Sequence, residues 1–192
     1  MRYSLFLLSI FIPGFSVAQP CPKYGNSTTT EKKKLNTLKN GSVAVGNLGE
    51  PVSVPLNSLI TTKKRKDRSL YASGAYVYTE GYLVSFQEQG PEACNCDEAT
   101  AKLKDGDVHI YIGLKKNALK KDCIVVEITP AFKKKHPDYE TLLDNNIRVR
   151  ITGKLLYDFI HEKDSINYCS SCAGAWRRTC WEIHPVTDIV RL

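Results

Sequence analysis

The chain has 192 residues, a formal net charge of +7, 42% hydrophobic and 24% charged residues. That length suits one domain with a substantial core, and past the N-terminus no apolar run nears the roughly 20 residues of a membrane-spanning helix. No internal repeat or low-complexity tract points to a solenoid or a fibrous protein.

The first residues read as a removable secretory signal. Arg2 supplies the basic start, residues 5–12 the apolar run, Pro13-Gly14 a break, and Ser16-Val17-Ala18 the small residues before cleavage. Gln19-Pro20 ahead of Cys21 does not make a lipoprotein cleavage site, so the expectation is an exported, periplasmic or extracellular protein without a lipid anchor. Cleavage removes Arg2 as the one charged side chain of residues 1–18, and the mature charge falls from +7 to +6.

Residues 19–70 are rich in Asn, Ser, Thr, Gly and Lys with little apolar periodicity, which predicts a partly flexible arm. Within it, residues 52–56 suit an edge strand. Basic runs stand at Lys32-Lys33-Lys34, Lys63-Lys64-Arg65-Lys66 with Arg68, Lys115-Lys116, Lys120-Lys121 and Lys133-Lys134-Lys135. Such runs suit a polyanion such as nucleic acid, or plain solvated loops; aromatic residues do not interleave with them as single-strand binding favours.

Residues 71–192 carry the regular pattern. Residues 75–86 form a long aromatic and β-branched strand with a bend or bulge expected at Gly81, followed by a polar loop over 87–106. Strands follow at 108–114 and 124–129. Pro130 ends the latter, and Pro137 with Asp138 and Glu140 predicts a short helix over 137–144. Residues 147–157 alternate strictly as a fourth strand. A loop over 158–179 leads to a terminal strand beginning near Cys180 or Trp181. Five strands with one short helix between the third and fourth predict a mainly β, OB-fold-like Greek-key barrel, with a split sandwich as the rival.

Seven cysteines in an exported chain point to disulfides before zinc. Cys94, Cys96, Cys169, Cys172 and Cys180 are the candidates, with pairing open. A bridge from Cys94 or Cys96 to Cys169 or Cys172 would tie together the two loops flanking the barrel's binding face. Cys21 or Cys123 is the expected odd thiol.

Period two along a strand puts Asp107 with His109, and Glu182 with His184, on single faces. In the OB order the second strand lies beside the third and the third beside the fifth. Asp107, His109, Glu127, Glu182 and His184 then converge, inside or outside the barrel. Imidazoles and carboxylates suit zinc or another divalent ion, and Glu127, Glu182 and His184 equally suit general acid–base catalysis. The plain alternative is a set of cross-strand ion pairs. Arg148 and Arg150 share a face of the fourth strand, with Lys154 further along, and Arg177-Arg178 precede the terminal strand; these arginines are candidate anion ligands.

Four segments together resemble a group of exported bacterial OB-fold-like proteins. They are Arg148-Val149-Arg150-Ile151-Thr152-Gly153-Lys154-Leu155-Leu156-Tyr157, Asp107-Val108-His109, Val126-Glu127-Ile128-Thr129-Pro130, and an ending with Trp181-Glu182-Ile183-His184-Pro185-Val186-Thr187. The resemblance spans about residues 75–192 and implies fold and export, but no reaction; the cysteines at 169 and 172 depart from the group's pattern. The functions to weigh are a binding module for an anionic ligand (nucleic acid or a phosphorylated small molecule), a metal-dependent hydrolase of phosphodiesters, and an envelope interaction protein.

Overall fold

The computed structural model describes residues 25–41, 48–61, 74–89, 92–95 and 106–192. The expected signal segment, Cys21, Cys96 and the basic run at 63–66 lie outside the described residues.

Among the described residues there are six strands: β1 (Val52–Ser53), β2 (Tyr76–Glu88), β3 (Val108–Gly113), β4 (Ile124–Ile128), β5 (Arg148–Tyr157) and β6 (Trp181–Arg191). The last five close a barrel in the order β2-β3-β4-β6-β5, with β5 pairing back onto β2. All neighbours are antiparallel except β4 and β6, which run parallel. This is the OB-like order expected from the strand pattern. β1 adds to β2 as a short parallel edge strand. Among the described residues no helix is long and apolar enough to cross a membrane.

Closure depends on β2 serving two partners. Tyr76 to Tyr82 pair with β5, and Tyr82 to Glu88 with β3. The corner falls at Gly81, where a Cβ would meet Leu56, Ile112 and the carbonyl of Gly113; the register shift itself lies between Leu83 and Ser85. Alternate residues of the five barrel strands fill the interior: Val77, Leu83, Ile110, Ile112, Val126, Ile128, Ile151, Leu155, Trp181 and Ile183 form one apolar cluster. Leu56, Leu59 and Ile60 of helix α2 (Leu56–Thr61), within the expected arm, join that cluster.

Gly153 is the tightest point between β5 and β6. An added Cβ would collide with Ile183 and the Pro185 carbonyl oxygen and lie 3.1 Å from Val186 Cα. Gly153→Ala is therefore expected to destabilise the fold by about 1–3 kcal/mol, the usual cost of overpacking. An unchanged denaturant midpoint would show that the two strands can separate freely there.

The helix between β4 and β5 sits earlier than its sequence signal. Helix α3 is Pro130–Lys135, with Pro130 in its first turn and the Thr129 hydroxyl accepting from Phe132 N. The expected 137–144 helix is only a 3₁₀ turn, Tyr139–Leu142. The Pro130 that ends the strand also opens a helix, since its fixed φ suits N1 and its missing N–H costs nothing there.

Candidate functional site

The interior-facing residues of β3, β4 and β6 point one way, so Asp107, His109, Glu127, Glu182 and His184 lie on the outer face of the barrel. His109 pairs directly with Glu127 across β3 and β4, and the parallel β4–β6 register sets Glu182 beside Val125. Outer does not mean exposed here. Glu127, Glu182, Asp107 and His184 are at most 3% accessible.

The cover comes from the N-terminal segment. Helix α1 (Thr30–Lys39) starts with Thr29 capping Lys32 N and ends by sending Lys39 into the cluster. Its ammonium lies 2.9 Å from Glu127 Oε2, 3.4 Å from Glu92 Oε2 and 3.9 Å from Glu182 Oε1. Asn40 Nδ2 donates to the Cys94 carbonyl at 2.6 Å and Asn26 N to Ala93 O at 3.0 Å, which fixes the 92–95 segment against the helix. The Cys94 thiol in turn donates to Glu92 Oε2 at 3.3 Å.

Glu127 is the centre of the arrangement. Its Oε1 is 3.2 Å from His109 Nε2, and its Oε2 is 3.2 Å from His184 Nε2. His109 Nε2 also lies 3.6 Å from Glu92 Oε1, and His184 Nε2 lies 3.8 Å from Asp107 Oδ2. On the far side Arg177 closes the network, donating from Nη2 to Glu182 Oε2 at 2.9 Å and from Nε to Thr179 O at 2.8 Å, with Asp158 Oδ2 3.7 Å from Nη1.

Five carboxylates thus face two permanent cations, Lys39 and Arg177. Buried charge left uncompensated costs several kcal/mol per ion, so protons or a metal must make up the difference. Burial disfavours an imidazolium at His109, but Glu127 and Glu92 outweigh it and push its pKa up to about 10. His184 is raised as well, its burial penalty overcome by Glu127. Burial, with Glu127 and Asp158 adding repulsion, lifts Glu182 to about 7, while Glu127 stays well below the usual carboxylate range despite burial because Lys39 and the histidines surround it. Burial pushes the Cys94 thiol up, so only a strong cation would make it a thiolate.

Among the described residues two groups have metal-ligand chemistry. Cys94, Asp107 and His184, all buried, place ligand atoms within 4.8 Å of one another; Glu92, His109 and Glu127 do the same. Among the described residues, His184 Nδ1 and Glu182 Oε1 have no hydrogen-bond partner, while His109 Nε2 and His184 Nε2 face only carboxylates.

The five outer-face residues expected from alternation do converge. The arginines expected as anion ligands are engaged elsewhere. Arg148 and Arg150 hold Glu80 at 3.0 and 2.7 Å, Arg178 lies 3.6 Å from Asp122, and Arg177 is buried in the network rather than on a rim. Lys154 turns to Gly41 O at 2.7 Å. The expected bridge from Cys94 to Cys169 or Cys172 does not form, because Cys169 and Cys172 pair with each other across a two-residue turn. Cys94, Cys123 and Cys180 are buried thiols. Sequence reasoning missed Lys39, Glu92 and Asp158 altogether, and ranked Cys94 as half of a disulfide ahead of a zinc ligand. The one available signal was Cys94 itself, a soft ligand in the loop leading to Asp107 and His109. Comparison with protein-family models, curated proteins and solved structures finds no match for this chain.

Proposed function

We propose that this chain is an exported metal-binding barrel domain that holds a zinc-class divalent ion through Cys94, Asp107 and His184. The observation that carries this reading is the His184 ring: 3% exposed, its Nδ1 without a hydrogen-bond partner among the described residues and its Nε2 against the carboxylates of Glu127 and Asp107, and grouped with a thiol and a carboxylate whose ligand atoms lie within 4.8 Å. Buried polar groups are nearly always satisfied, and a buried imidazole with one nitrogen left over beside sulfur and oxygen donors matches the ligand preferences of zinc. A tetrahedral zinc site separates its ligand atoms by about 3.4–3.6 Å, so a modest contraction completes it. Glu127 Oε2, beside His184 Nε2, is the nearest fourth ligand.

The cluster's excess of carboxylates favours a cation over direct binding of an anion. Arg148, Arg150 and Arg177 already hold carboxylates. A phosphorylated ligand or a phosphodiester therefore enters this reading as a ligand of the ion, and nucleic-acid contact as a separate matter for the exposed lysines.

Metal analysis of the purified protein tests the proposal. Wild type is expected to retain zinc, and His184→Ala to lose affinity by more than about 100-fold, beyond the 10–100-fold typical of mutations one layer out from a metal. Cys94→Ser, close in shape, gives the same loss with the circular-dichroism spectrum intact. Equal zinc content in all three proteins would sink the assignment.

A further inference from the structure

We infer that the cluster is a two-ion centre, with a second divalent ion held by Glu92, His109 and Glu127 and with Glu127 shared between the ions. The inference rests on the metal-binding reading above and extends it. Each oxygen of Glu127 faces the histidine of a different triad: Oε1 lies 3.2 Å from His109 Nε2 and Oε2 3.2 Å from His184 Nε2. Glu92 is divided in the same manner, with Oε1 3.6 Å from His109 Nε2 and Oε2 3.3 Å from Cys94 Sγ. A carboxylate presenting one oxygen to each of two nitrogen ligands is the arrangement that holds paired ions about 3.5–4 Å apart in two-metal sites.

His109 fits the same position. Its residue is 9% exposed, and its Nε2 is aimed between the two glutamates, 3.2 Å from Glu127 Oε1 and 3.6 Å from Glu92 Oε1, where an ion would take the place of the proton it shares with them. The two positions also differ in access. Cys94, Asp107 and His184 are all buried, whereas 27% of the Glu92 side chain is exposed. The second ion is therefore the one that solvent or an anionic substrate reaches, and the inner ion is the structural partner. Lys39 supplies positive charge to the Oε2 atoms of the same two glutamates, a role the ions take over on loading.

Cobalt(II) titration of the chelator-treated full chain separates the two claims, because a thiolate–cobalt charge-transfer band reports the Cys94 site alone. The expected result is two bound equivalents by metal analysis, with the band complete at one. The double variant E92Q/H109Q is expected to bind one equivalent and keep the band. A wild type that saturates at one equivalent with the band present overturns the second ion and leaves the first. No band and no bound cobalt overturns both. A double variant that loses the band while its circular-dichroism spectrum is unchanged shows that the positions are not separate, and overturns the inference.

Discussion

Replacing Lys39 with methionine is expected to lower the stability of the metal-free protein by about 3–5 kcal/mol and, at the same time, to tighten zinc binding. Methionine keeps much of the buried aliphatic stem, so the change isolates the ammonium. Without it, Glu92, Glu127 and Glu182 face one another across a site where the Lys39 side chain is only 6% exposed. Breaking a buried pair from one side strands the partner charge, and that is the source of the large loss. A divalent ion restores the missing charge and no longer competes with a tethered cation. Binding to the native state adds stability by mass action, about 4 kcal/mol at a thousand times the dissociation constant. Denaturant midpoints measured in chelator and in excess zinc should therefore diverge in the first case and converge in the second. If the variant is equally weakened under both conditions, Lys39 is a plain structural pair and does not stand in for a metal.

Arg177→Met is expected to cost a similar amount, about 3–5 kcal/mol, and to lower the melting temperature by on the order of 10 °C. Arg177 is 1% exposed, and it joins Glu182, Asp158 and the Thr179 carbonyl at the base of the last loop. Its own backbone straps that loop: Arg177 N donates to Asp164 O at 3.2 Å and Ile166 N to Arg177 O at 3.0 Å. Removing the guanidinium leaves two buried acids and loosens the approach to β6. Arg148→Met is the control. That side chain is 55% exposed beside Glu80, and exposed pairs contribute about 1 kcal/mol or less. Equal melting shifts in the two variants would contradict the buried network as a stabilising unit.

The barrel was legible because its evidence is local. Each of the five strands announces itself by β-branched and aromatic residues, and the connection lengths leave few ways to close them. The acid-x-His pairs were legible for the same reason, since period two binds Asp107 to His109 and Glu182 to His184 whatever surrounds them. The helix was displaced because Pro130 carries two signals, strand end and helix start, and local pattern does not rank them. Alternation also leaves unsettled which face turns inward. β3 and β4 are buried on both faces, the inner by the core and the outer by α1, the 92–95 segment and the loop bearing Trp176.

What the sequence determined by itself is the strand set, the net positive charge and the pairing of acids with histidines on shared faces. What only the tertiary structure decided is which groups complete them: Lys39 from a segment read as a loose arm, Glu92 and Cys94 from a polar loop, Asp158 and Arg177 around Glu182. The physical reason is that buried charges must be balanced by whatever lies within a few ångströms in space. Those partners sit far away along the chain, 88 positions in the case of Lys39 and Glu127, and no periodicity links them.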